Sequence, residues 1–188
     1  MRDGAAPRLK FAFLQERDLF AIERQESQLT LLGEPHTFDA EEAAQLCAQP
    51  VAWVAREAGR IVACFGIVEL FPGRQGWGWA VLAKGIGAAH FELTRFVQGQ
   101  IAGCGLARLE LRAIAAPQFE AELAASGRDD PASALAVALR HATPEIRWAV
   151  LLGLNPVHVL RQYGADGAAH VLFERINPAA ALQAKRAA

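Results

Sequence analysis

Residues 79–96 read WAVLAKGIGAAHFELTRF, and three signals follow one another there. WAVLA is an apolar run of strand composition. Lys84-Gly85-Ile86-Gly87 then sets two glycines one residue apart. From Ala89 apolar residues recur at helical spacing: Ala89, Leu93, Phe96, Val97, Ile101 and Cys104 form one stripe of a helix running to about Gly103. A strand that turns through glycines into a helix leaves the first helical N–H groups without intrahelical partners. They lie at the positive end of the helix dipole, with no Cβ to hold an anion away. The bend therefore has two readings, a seat for phosphate or a tight connection that serves packing alone. It is not a P-loop, because neither glycine is followed by Lys-Ser/Thr. A dinucleotide-binding fold needs a parallel strand–helix–strand opening, whereas the strands just upstream read as antiparallel.

Upstream, VAWVARE (51–57) and RIVACFGIVEL (60–70) are β-rich runs joined by Ala58-Gly59, a hairpin signal. FPGRQG (71–76) is a further turn and WGWAVLA (77–83) a third strand. LKFAFLQ (9–15) opens the chain as a short strand. ERDLFAIERQESQLTLL (16–32) places Leu19, Ile22, Glu26 and Leu29 near one face and predicts a helix. After the turn residues of GEPHT (33–37), Asp39 with Glu42 reads as an N-cap and its reciprocal acid. Downstream, Gly105 ends the helix and LARLELRAIA (106–115) is a strand. Residues 117–144 read as an inserted helical segment broken at Gly127–Pro131. EIRWAVLLGL (145–154) is a short helix stopped at Asn155-Pro156, PVHVLRQYG (156–164) and AAHVLFERI (168–176) form a closing hairpin, and the Ala-rich tail from Pro178 is expected to be frayed. The order predicts an α+β fold with one mixed, mainly antiparallel sheet flanked by helices, in a single domain over 1–188. Leu135, Val137 and Leu139 of the insertion need cover, so that segment is expected to be peripheral, and either mobile or packed on a second copy in a homodimer.

The bulk chemistry narrows the classes. The 188 residues are 53% apolar and 21% charged, which suits a globular chain with a sizeable core. A net charge of −1 argues against a nucleic-acid or polybasic membrane-surface protein. No apolar run approaches a membrane span, and MRDGAAPRLK lacks the apolar core of a signal peptide. Cys47, Cys64 and Cys104 are odd in number and lack metal-ligand spacing, and the five histidines are scattered. Free thiols in a reducing cytoplasm and no metal site are expected.

With the element order in place, the chain resembles the GCN5-related N-acetyltransferase (GNAT) superfamily over roughly residues 51–116 and 145–176. The family's Gln/Arg-x-x-Gly-x-Gly/Ala turn, which binds the pyrophosphate of acetyl-CoA, is matched by Lys84-Gly85-Ile86-Gly87-Ala88-Ala89 with Lys in the first place. A second register, Leu82 to Gly87, fits the glycines without a basic residue, and the first is preferred. The run GIVELFPGRQGWGWAVLAKGIGAAHFELTRFV and the stretch IRWAVLLGL look closer still to GNAT-like proteins of bacteriophages and prophages. The resemblance implies a sheet splayed at its central strands, acetyl-CoA as cofactor, and an amine of a small molecule or protein as acceptor. It also implies polarisation of the thioester carbonyl by backbone N–H groups at about Val81, Leu82 and Ala83, and pyrophosphate on Lys84, Gly85, Ile86, Gly87, Ala88 and Ala89.

Acetyl transfer needs a neutral amine, a polarised carbonyl and a proton for the leaving thiolate. Glu69, closing the apolar run CFGIVEL, is the first candidate base; the alternative is an exposed strand-end glutamate. Glu110 within LARLELR is a second. The family often carries a tyrosine acid four residues before the glycine of its late helix; counting back from Gly153 gives Ala149, a departure. Tyr163, the only tyrosine, is the remaining candidate acid or else a turn-packing residue. His90, Arg74 and Arg95 meet CoA or solvent; Trp77, Trp79 and Trp148 suit a core. The missing tyrosine keeps a second function open: a non-catalytic GNAT-fold phage or prophage protein that binds a protein partner through 117–144.

Overall fold

The computed structural model describes residues 8–178 and Ala180, so the tail expected to fray lies almost wholly outside the described residues. Strands and helices are interspersed along the described residues. Strands β1 (Leu9–Phe13), β4 (Val51–Glu57), β5 (Arg60–Phe71), β6 (Gln75–Leu82), β7 (Arg108–Ile114), β8 (Asn155–Leu160) and β9 (His170–Ile176) form a seven-stranded sheet in the order β1-β4-β5-β6-β7-β9-β8. The β1–β4, β4–β5, β7–β9 and β8–β9 ladders are antiparallel. Strands β6 and β7 pair in parallel, and that ladder holds three residue pairs, from Gln75–Arg108 to Trp77–Glu110. The mixed, mainly antiparallel sheet is the expected one, and the ladder between its central strands stops early, where the splay was expected.

The chain divides into two compact units. The first comprises residues 8–29, His36–Val68 and Gly78–Cys104. Here α1 (Glu16–Ala21) and α2 (Ala40–Cys47) cover one sheet face through Leu19, Ile22 and Ala43 on Val54, Cys64 and Val81. On the other face α3 (Ala89–Gly103) buries Ala89, Leu93, Val97 and Ile101, and Phe96 stacks on Phe11 at 3.8 Å between ring centres. Asp39 caps α2 by accepting the Glu42 N–H, 2.8 Å. The Glu42 carboxylate does not return the bond; it pairs with His36 at 3.0 Å.

The helix expected over 16–32 is six residues long. Ile22 is already extended at φ −72°, ψ 126°, because the chain from residue 24 is drawn onto the end of β6. Arg24 bridges to Ala83 and the Gln25 N–H donates to the Leu82 carbonyl, 3.0 Å. A mixed helical face carrying Glu26 does not outweigh that tertiary pairing.

The second unit comprises Thr30–Pro35, Glu69–Trp77 and residues 105–178. Strands β2 (Thr30–Leu31) and β3 (Glu34–Pro35) make a small separate hairpin. Helices α4 (Phe119–Ala125) and α5 (Pro131–Arg140) break where Gly127–Pro131 foretold. The expectation that 117–144 lies wholly at the periphery, mobile or covered by a second copy, is corrected at its apolar side chains: α5 packs on β8, and Phe119, Leu123 and Val137 are buried within the chain. Val137 finds its cover within the chain, while Leu139 stays exposed. α6 (Pro144–Leu151) lies against β7 and is capped by Thr143, whose hydroxyl accepts the Ile146 N–H at 3.2 Å.

Candidate functional site

The glycine bend belongs to the first unit. Val81, Leu82 and Ala83 are buried at the end of β6, Lys84 and Gly85 are exposed, Ile86 turns inward, Gly87 and Ala88 are exposed, and Ala89 is buried as α3 begins. Apolar anchors at residues 81–83, 86 and 89 thus hold an exposed backbone arch between them. Gly85 and Gly87 have φ of +68° and +53°, the left-handed region that favours glycine. A Cβ at Gly85 would meet nothing within 4 Å, and one at Gly87 only the Gly85 carbonyl at 3.8 Å. The space above both α-carbons is open, so these glycines answer to backbone conformation and access, not to crowding by the protein. The arch is fixed from the sides: the Lys84 N–H donates to Glu23 C=O, and Arg60 Nη1 to Lys84 C=O, each at 3.0 Å. Lys84 Nζ lies 3.7 Å from the exposed Glu26 carboxylate. Open α-carbons at the start of a 15-residue helix, beside a lysine, fit a diphosphate.

On α3, Arg95 stands 4.9 Å from the ring centre of the exposed Phe91. His90 is half-buried, not solvent-facing, and burial lowers its pKa.

Two glutamines absent from the sequence reading act on β6. Gln28 accepts the Leu82 N–H through Oε1 at 2.7 Å and donates from Nε2 to Ala80 C=O at 3.3 Å, as a neighbouring strand's peptide would. Gln25 Nε2 donates to Ala83 C=O at 3.3 Å. The Ala83 N–H donates to Val62 C=O, 2.9 Å. A carbonyl polarised by the Leu82 N–H would thus take the place of the Gln28 oxygen. Their residue type carries no signal; only the fold brings 25–28 to 80–83.

The candidate proton-transfer residues lie in the second unit. Glu69, half-buried, accepts the Gly73 N–H at 3.1 Å across the β5–β6 turn. Glu110 accepts from Gln75 Nε2, 3.0 Å, and sits beside Arg108, which also pairs with Glu174 at 3.0 Å. Tyr163 stands in the β8–β9 connection against His170, 5.2 Å between ring centres. Its backbone N–H donates to Ala168 C=O, 3.2 Å. Ala149, where the family's tyrosine would stand, is buried in α6. Arg74 is exposed in its turn, Trp148 is half-buried, and Trp79 joins the first unit's core. Among the described residues no cluster of His, Cys, Asp and Glu could hold a metal ion, and the three cysteines are free. No helix among them is long and apolar enough to cross a membrane.

No protein-family model matches the chain, and no curated protein matches it in sequence. Solved structures do share its fold. An acetyltransferase of the GNAT family from Bacillus anthracis superposes with a TM-score of 0.55 at 11% identity, covering 92% of this chain and 96% of that one. An aminoglycoside 6'-N-acetyltransferase complexed with coenzyme A gives 0.56 at 13% identity, covering 89% and 96%. The ribosomal-protein-S18-alanine N-acetyltransferase of Escherichia coli gives 0.56 at 15%, covering 89% and 93%. The chain is similar to these in fold.

Proposed function

We propose that this chain is an acetyl-CoA-dependent N-acyltransferase whose acceptor is an amine of a small molecule or protein. One observation carries the reading: an exposed glycine arch opens a long helix, on a fold shared with acetyltransferases, one of them solved with coenzyme A. In this reading the N–H groups of Gly85–Ala89 and the Lys84 ammonium bind the diphosphate. Backbone N–H groups of Val81–Ala83 orient the acyl carbonyl, Leu82 in exchange for its bond to Gln28. Bound acetyl-CoA supplies a thioester acyl group activated toward amines. Glu69 takes the proton that the incoming ammonium must lose, and the Tyr163 hydroxyl is the proton donor that Ala149 cannot be. The chain acts as one domain in the cytoplasm.

Thermal unfolding with increasing acetyl-CoA tests this. A ligand present at about 100 times its dissociation constant adds about 2.7 kcal/mol of stability, so the midpoint rises with concentration. A midpoint that does not move with acetyl-CoA overturns the reading.

Ala149 favours a second reading, a non-catalytic protein of phage or prophage type that keeps the fold and binds a protein partner. Firm acetyl-CoA binding without transfer to a broad amine panel selects it.

A further inference from the structure

One face of β7 carries Arg108, Glu110 and Arg112 at alternate positions. The first two are paired with each other, and with Glu174 and Gln75 respectively. Arg112 is not. Its guanidinium carbon lies 3.9 Å from the ring centre of Trp77 and 5.0 Å from that of Tyr163, and it makes no hydrogen bond or ion pair with any described residue. Glu110 acts on it only through charge. Burial lowers the pKa of Arg112, yet a guanidinium keeps its proton in proteins. The fold has thus half-buried a cation, set it against two aromatic rings, and left its fork of donors unused among the described residues. Cation–π contact satisfies the face of a guanidinium, not its edge.

We propose that Trp77, Arg112 and Tyr163 form a binding site for a carboxylate, which under the acyltransferase reading, on which this role rests, belongs to the acceptor amine. A carboxylate meets the guanidinium edge through two parallel hydrogen bonds, coplanar with the fork. Among the described residues the only cation of the site is Arg112 itself, since Arg108 and Arg161 are each already paired with two acids and add no free positive charge. That matches a single negative charge; a phosphate dianion would call for a second cation. His170, buried beside Tyr163, has a pKa lowered first by burial and further by Arg112, so at neutral pH it adds no charge. The acceptor class is then amino acids, or peptides presenting a terminal or side-chain carboxylate near the reacting amine.

The test is calorimetric titration of the full chain with hippurate and, in parallel, its neutral amide hippuramide. Hippurate binds, hippuramide binds at least about tenfold more weakly, and Arg112→Met weakens hippurate by about 10–100-fold with the unfolding midpoint retained. Arg112→Lys, which keeps the charge without the fork, falls between. Equal binding of acid and amide to the unaltered chain overturns the site whatever the variants do, as does hippurate binding that survives Arg112→Met. Acetyl-CoA titrated separately divides the two claims. Acetyl-CoA binding without hippurate binding removes the carboxylate site and leaves the acyltransferase reading. Hippurate binding without acetyl-CoA binding keeps the site and removes its acceptor role.

Discussion

The arch at residues 84–89 and the cluster of Trp77, Arg112 and Tyr163 are built by opposite means. The arch is backbone: six consecutive residues, two with positive φ, presenting peptide groups to open space. The cluster is side chain: three residues from β6, β7 and the β8–β9 connection, each useless alone. A backbone site tolerates loss of side chains and fails when one is added in the wrong place. A side-chain site fails at single deletions. That contrast sets what each substitution should do.

The largest effect is expected in the second unit. Glu69→Gln should lower the steady-state rate by about 10²–10⁴-fold, the usual value of positioned proton transfer, with acetyl-CoA affinity unchanged. Its amide oxygen can still accept the Gly73 N–H, so that bond across the turn is kept. An unchanged rate clears Glu69 of the role and leaves it as the brace of the β5–β6 turn.

Next comes the arch. Ala88 is exposed with φ −65°, in the ordinary helical region. Ala88→Glu therefore adds a carboxylate that the helix N-terminus accepts and a diphosphate does not. At an effective dielectric of about 20 the repulsion is a few kcal/mol, so acetyl-CoA affinity should fall by about 100-fold or more in a calorimetric titration. Lys84→Met should cost far less, because the lysine is exposed and faces Glu26. Comparable losses in the two variants would break the comparison, since the arch would then be working through its lysine. Gly87→Val is a poorer probe: at φ +53° a β-branched residue strains the backbone, so lost binding would mix with lost stability.

The smallest effect concerns pH. His170 is buried, and burial chiefly lowers its pKa from about 6.5; the Ala168 carbonyl pulls it back up and Arg112 lowers it further. A histidine with a lowered folded pKa destabilises the fold as acid protonates the unfolded chain first. Stability should be complete above about pH 6.5 and decline as pH falls below it. Thermal midpoints between neutral and mildly acid pH check this, and His170→Phe should flatten the decline. An identical decline in that variant assigns it to other groups, His90 among them.

The strand hairpin at 51–70, the arch, α3 and the closing hairpin were all legible because their signals are local. Ala58-Gly59 makes the turn with φ of +48° and +87°, and the α3 stripe buries where its spacing says. The sequence could also nominate Glu69 and Tyr163 as residues of the right chemistry. It could not show that residues 24–28 abandon the helix to satisfy β6, nor that Gln28 holds the Leu82 N–H, nor that Val137 finds its cover on the same chain. Arg112 is the sharpest case. By alternation it matches Arg108 and Glu110, and only the fold leaves it against two rings with no acid paired to it among the described residues. Backbone conformation and hydrophobic period are short-range properties, set within a few residues and so written in the sequence by itself. Which charge is neutralised, and which donor is left over, depends on partners tens of residues away, and only the tertiary structure decides it.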